Sequence, residues 1–177
     1  MDIVQFVVAL VAVLPAYLPN SAAVITGGGP PIDGGRTWRG DRVLGDGKTW
    51  RGAAGGIGAG VLLALVLNAV VGALGASWLP TFSARAAVGL AMGAVLGDMA
   101  ASFVKRRTGR ERGAPFPGVD QLDFLVGALV VVLVLDPDWA LSTFTPAGVV
   151  FLLVATPLVH LGANRVAYWT GLKDEPW

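Results

Sequence analysis

The chain has no cysteine and one histidine, and only 14% of its 177 residues are charged. Without thiols there is no disulfide framework, no thiolate metal site and no cysteine nucleophile. His160 lacks a metal-ligand partner at useful spacing and is read as structural. So little charge, beside 54% hydrophobic residues and a mean hydropathy of +0.66, departs far from a soluble globular average. The class is integral membrane protein.

What is present is long apolar sequence. Stretches at residues 3–24, 53–74, 86–104, 122–135 and 147–168 have the polarity of spans, which need roughly 20 residues to cross a bilayer core. The expected architecture is an all-α integral membrane protein of about five transmembrane helices with two basic cytoplasmic loops. Residues 1–177 would form a single domain. Asp2 is acidic and no basic segment precedes the first span, so that span is expected to be retained rather than cleaved as a signal peptide. The fourth apolar run is short and must take in the segment around Asp120 and Asp123. Carboxylates at membrane depth are costly and point to function.

The basic residues sort by side. Arg36, Arg39, Arg42, Lys48 and Arg51 fall between the first two spans, and Lys105, Arg106, Arg107, Arg110 and Arg112 between the third and fourth. Arg165 and Lys173 lie at the C-terminal end, and only Arg85 belongs to the opposite side. Because cytoplasmic loops carry the excess of Lys and Arg, a multi-pass protein of the cell membrane is expected with its N-terminus outside. Both basic loops, the C-terminus and an active site between them would face the cytoplasm.

Small residues recur every fourth position: Gly52, Gly56, Gly60, Ala64 and Gly72 in the second span, with Asn68 the single polar exception, and Gly89, Gly93, Gly97 and Ala101 in the third. Such ridges let helix backbones approach closely, and the expectation is that these two spans hold the basic loops side by side. Asn68, His160 and Asn164 are read as interhelical hydrogen bonders. Asn20 is the exception, lying toward the cytoplasmic end of the first span. Six tryptophans near the span ends read as an aromatic belt.

The chemistry gathers from Gly97 onward, in GDMAASFVKRRTGRERGAPFPGVDQLDF. Asp98, Ser102 and Lys105 are spaced to share one helix face. Asp120 and Asp123, at i and i+3, bring their carboxylates together on the opening turns of the fourth span. Three converging carboxylates repel unless a cation sits between them, and hard oxygen ligands point to Mg²⁺. Lys105, Arg106 and the Lys48 loop supply donors for polyphosphate, and glycines let backbone N–H groups reach it. The GDGKT at 45–49 is not a P-loop, because Arg42 stands where its leading glycine belongs and no strand precedes it. A basic collar on anionic lipid would explain the arginines alone, with Arg107, Arg110 and Arg112 as its members, but not the intramembrane carboxylates.

Gly97-Asp98 through Ser102, Lys105-Arg106, Pro117-Gly118 and the D-x-x-D pair Asp120/Asp123 resemble the cytidylyltransferase signature of CDP-diacylglycerol synthases. That signature has a His-Gly-Gly before its first aspartate, where this chain has Gly118-Val119, so no histidine role carries over. The loop after Asn20, with RTWRG at 36–40 and KTWRG at 48–52, resembles more specifically the archaeal relatives, the CDP-archaeol synthase family. The resemblance covers nearly the whole chain. It implies transfer of a cytidylyl group from CTP to an isoprenoid glycerol-ether phosphate with Mg²⁺, releasing pyrophosphate, in archaeal membrane phospholipid biosynthesis. It implies Asp120 and Asp123 as metal-site candidates, Asp98 as a further metal ligand or as the anchor of a basic side chain, Lys105, Arg106 and Lys48 on phosphate, and Ser102 orienting an oxygen. Asp33, Arg42, Asp46 and Thr49 match loop positions that would serve cytosine, ribose or loop folding, with Asn20 beside them.

The expected partners are CTP, a lipid phosphate and membrane lipids, without nucleic acid, for a chain acting as a monomer or homodimer. The alternative from another class is a small cation or lipid transporter using the intramembrane carboxylates. It needs polar residues through the outer half of the bundle, where only Asn68 stands. A CDP-alcohol phosphotransferase would need an aspartate motif of the D-G-x-x-A-R type, which the sequence lacks.

Overall fold

Helices form where the apolar runs have length. In the computed structural model, which describes residues 3–109, 116 and 118–171, these are α1 (Ile3–Thr26), α2 (Trp50–Leu74), α3 (Ala84–Arg107), α4 (Val119–Leu135) and α6 (Pro146–Trp169). A seven-residue α5 (Pro137–Thr143) leads into α6. Arg110, Arg112, Pro117, Lys173 and Trp177, and the side chains of His160 and Asn164, lie outside the described residues.

Helix starts are chemically marked. The side chains of Thr49, Ser83, Asp136 and Thr145 accept the backbone N–H of Gly52, Ala86, Trp139 and Gly148, satisfying donors a helix start leaves orphaned. The helix α1, α2 and α3 are each long and apolar enough to cross a membrane, and α5 with residues 146–159 would make a fourth span bent by 79°. With 17 residues, α4 is about 25 Å long against a bilayer core of roughly 30 Å. Its first turns therefore carry Asp120 and Asp123 close to the membrane boundary. The five long helices coincide with the five expected apolar stretches, three or four of them long and apolar enough to span among the described residues, while α5 was not expected: Asp136 and Pro137 start a helix where the sequence reads as a loop.

The glycine ridges pack elsewhere than expected. The ridge of α2 faces α1: a Cβ at Gly56 would strike the carbonyl oxygen of Pro19, and one at Gly60 that of Pro15. The ridge of α3 faces α4, where a Cβ at Gly93 or Gly97 would strike the backbone of Gly127 or Asp123. Two tight pairs, α1–α2 and α3–α4, thus replace the single α2–α3 pair read from the spacing. Gly60 also meets the Ala91 side chain of α3, so the pairs join there. Val13, Leu90, Leu125, Val132 and Leu152 fill the space between helices and are fully buried.

At the end formed by the 73–85 connection, Asn68 accepts the backbone N–H of Phe82 (2.7 Å) and donates to its carbonyl (2.9 Å). Trp139 donates through Nε1 to the carbonyl of Thr81 at 2.7 Å. These bonds close that end of the bundle. The chemistry lies at the other.

Candidate active site

The doubled pentapeptide folds in two ways. In the first copy Thr37–Trp38 (β1) pairs antiparallel with Asp41–Arg42 (β2), joined through Arg39 (φ 56°) and Gly40 (φ 90°). Positive φ at both turn residues gives the twist a two-residue hairpin needs. In the second copy Thr49 caps α2, and Trp50 begins it. Ile32 donates to the carbonyl of Lys48 at 2.8 Å, and Pro31 bridges to Thr49, so the two limbs of the loop are held together.

Asp33 pins this loop. Its side chain is almost wholly buried and accepts from the backbone N–H of Gly35 (3.0 Å), Leu44 (3.0 Å) and Gly45 (3.2 Å) and from Arg42 (2.7 Å). The Arg42 guanidinium, then the backbone donors, hold its carboxyl well below the usual range, against the opposing effect of burial. Arg42 also pairs with Asp46. Of the uses that the sequence left open for Asp33, Arg42, Asp46 and Thr49, loop folding is the one visible here.

Arg107 fastens the loop to α3. It donates to the carbonyls of Trp38 and Arg42, the latter at 2.9 Å, and lies 5.2 Å from the Trp38 ring centroid. Trp38 in turn stacks on Phe103 of α3. The sequence reading put Arg107 in a solvated collar and Trp38 in an aromatic belt, and both instead join loop to helix. Backbone carbonyls were the missing signal, since no residue type announces them. Arg106 turns toward the same loop, its guanidinium beside Gly45.

Between the ends of α1, α3, α4 and α6 lies a cavity of about 450 Å³. Asn20, Asp98, Ser102, Lys105, Asp120 and Asp123 line it. Lys48 reaches in from the loop to pair with Asp98, and Lys105 pairs with Asp120 at 2.5 Å. Asp120 also accepts the backbone N–H of Phe116 at 2.9 Å. Asp123 accepts from the N–H of Phe124 and has no ion pair among the described residues. Tyr17 also lines the cavity; it shares a hydrogen bond of 2.6 Å with the buried Thr156 and meets Phe124 edge-on. Tyr17 was not legible as a wall residue, because it sits within an ordinary apolar run.

The cavity brings together three carboxyl groups and two ammonium groups, which pair with two of the three. Its donors are carboxylate, hydroxyl and amide oxygens, which suit a hard divalent cation. The expected convergence of Asp98, Asp120 and Asp123 on one ion is not what stands: no group of three acidic side chains among the described residues is set to hold a metal. The cause is Coulombic. Two of the carboxylates are turned to lysines, so Asp123 is the one left for a cation.

An apolar helical bundle whose ionisable groups meet in one cavity at a basic, glycine-rich loop defines an intramembrane site for charged ligands. The particular family follows from comparison. A family model described as CarS-like, CDP-archaeol synthase, matches residues 1–177, and the chain belongs to that family. It is 61% identical to the CDP-archaeol synthase of Halorubrum lacusprofundi, over 94% of each chain. It is 60% identical to that of Haloarcula marismortui, over the full length of both. A solved structure described as "Structural insight into an intramembrane enzyme for archaeal membrane lipids biosynthesis" superposes with a TM-score of 0.73 at 42% identity, covering 88% of this chain and 92% of the other.

Proposed function

We propose that the whole chain, residues 1–177, is one transmembrane cytidylyltransferase domain whose reaction takes place in the Asp98–Asp120–Asp123 cavity. As a member of its family the protein is a CTP-dependent cytidylyltransferase acting on a lipid phosphate in archaeal membrane lipid synthesis. The observation that carries the siting is the pairing of Lys48 and Lys105, from the two basic segments, with carboxylates of one cavity. Groups that bind a carboxylate through an ammonium bind a phosphate in the same way.

In the reaction an oxygen of the lipid phosphate attacks the α-phosphorus of CTP. The new P–O bond forms as the bond to the β-phosphate bridging oxygen breaks, and pyrophosphate leaves. The attacking phosphate is already anionic, so neither a protein nucleophile nor a general base is needed. What the site must do is bring two anions together and neutralise them. Lys48 and Lys105 do this by exchanging their carboxylate partners for phosphate oxygens, with Arg106 beside them. With their lysines on phosphate, Asp98 and Asp120 would be the residues that hold a divalent ion together with Asp123, and such all-oxygen donors would favour Mg²⁺. The ion, when bound, neutralises phosphoryl oxygens as a Lewis acid. Ser102 and Asn20 orient oxygens at the cavity wall.

The site faces the cytoplasm, with the N-terminus outside and the C-terminus inside, as the arginine and lysine distribution supports. One chain lines the cavity, so a monomer or either half of a homodimer would serve. A transporter reading loses its support at Asn68: its side chain is taken up by Phe82, and buried Leu90 and Val132 stand between the cavity and that end. The test is a titration in detergent of CTP, ATP, GTP and UTP with and without Mg²⁺. Metal-dependent, CTP-selective binding is expected, and equal binding of ATP would overturn the reading.

A further inference from the structure

A second concavity adjoins the cavity from the membrane side. It is a groove of about 610 Å³ between α3 and α4, walled by Leu96, Val104, Val126 and Val130, all of them exposed. Its floor is the tight α3–α4 contact, where Gly97 and Gly127 bring backbone against backbone. Ala101 and Asp123 line both the groove and the polar cavity. From Val119 to Val131 the groove follows α4 for about 18 Å by helical rise, slightly more than half of a bilayer core of roughly 30 Å.

We infer that this groove holds a hydrocarbon chain of the lipid phosphate substrate, with its phosphate in the polar cavity that Asp123 borders. The inference rests on the cytidylyltransferase reading of the cavity. A lipid lying in one leaflet has its head at the membrane boundary and its tail running toward the midplane, and the groove begins and ends at those depths. An open apolar trough that meets a charged cavity at one aspartate matches that division of the ligand. Because the tail leaves lipid for an equally apolar surface, little hydrophobic energy is gained. The groove therefore sets the depth and orientation of the phosphate more than it adds affinity, and orientation is what an in-line displacement needs.

The cysteine-free chain allows a direct test. Val130→Cys would be labelled with a maleimide in mixed micelles, with Leu65→Cys, on the exposed face of α2, as the control. A long-chain isoprenoid glyceryl phosphate is expected to slow labelling at Val130→Cys about fivefold or more and leave Leu65→Cys unchanged, while glycerol phosphate slows neither. Ala100→Trp, which fills the groove wall, should lower kcat/KM for the long-chain substrate about tenfold while sparing a short-chain analogue and CTP binding. Equal slowing at both cysteines, or equal loss for long and short chains, would overturn the inference while cytidylyl transfer by the unmodified chain persisted. Absence of that transfer would overturn the functional reading itself, and the inference with it, which keeps the two failures apart.

Discussion

Lys48, in the loop between α1 and α2, donates to the carboxylate of Asp98 on α3, fifty residues along the chain. The pair makes the lysine a competitor of any metal that needs Asp98. Lys48→Met keeps the stem and removes the charge, so divalent-ion affinity without nucleotide should rise about fivefold as one carboxylate loses its partner. CTP affinity should fall. Mn²⁺ binding followed by electron paramagnetic resonance, with and without CTP, measures both. Metal affinity that falls along with CTP affinity would mean that the lysine does not hold the metal's place.

Asp33 fixes the loop that presents Lys48. Asp33→Asn leaves the buried N–H groups and Arg42 poorly matched, at about 1–3 kcal/mol for each group left unsatisfied, so trypsin should cut at Arg36, Arg39 or Arg42 about tenfold faster through local opening. The pH dependence has a definite sign. A carboxyl held below its ordinary value stabilises fully above the unfolded pKa of about 3.9, and loses that contribution only as pH falls through the lower folded value. Amide exchange at Leu44 and Gly45 should therefore stay protected at pH 4. Loss of protection between pH 6 and 4 would contradict the pin.

Arg107 holds the hairpin by a planar fork and a ring face, which Lys cannot reproduce. Arg107→Lys should raise the KM for CTP several-fold, roughly threefold to tenfold, with kcat little changed, because the loop is displaced rather than the reacting groups. Arg36→Ala, exposed on the same loop, should leave both KM and kcat unchanged. Steady-state kinetics of the two variants decide it, and equal effects would return Arg107 to the solvated collar.

The apolar runs and the Asp98, Asp120 and Asp123 spacing were readable because periodicity and charge act locally. The partners of the glycine ridges were not, since small-residue spacing says that a backbone approaches and not which one. The two RTWRG-like copies look equivalent in sequence, yet one is a hairpin and the other a helix start. What separates them is context: Arg39-Gly40 is followed by an acid and a strand partner, whereas Arg51-Gly52 runs into the apolar α2. The lysine–carboxylate pairs are legible only in part. Asp98 reads as a metal ligand or as the anchor of a basic side chain, and Lys48 takes that second role. The Lys105–Asp120 pair is not legible, because spacing assigns the one group to a phosphate and the other to a metal.

The proposed orientation is tested by single cysteines. Arg36→Cys lies in the basic loop and Ser77→Cys in the opposite one, both exposed. An impermeant maleimide added to intact cells should label Ser77→Cys and spare Arg36→Cys until the cells are opened. The reverse pattern would invert the topology and place the cavity on the outer face.

Asp123→Asn separates metal holding from phosphate binding. Asp123 lines the cavity without an ion pair among the described residues, so the substitution frees no lysine and breaks no salt bridge of the fold. It removes charge at constant size from the position most open to a hard cation. Turnover should fall about 10²-fold or more, since the metal neutralises charge that develops in the transition state. Asp120→Asn should lose turnover as well, but it also releases Lys105, so its KM for CTP should shift while that of Asp123→Asn stays close to the unmodified enzyme. Initial rates against CTP and Mg²⁺ in mixed micelles resolve the two, with partial rescue by raised Mg²⁺ expected for Asp123→Asn. Near-normal turnover in Asp123→Asn would remove this carboxylate from the metal site and move the reaction toward the basic loop.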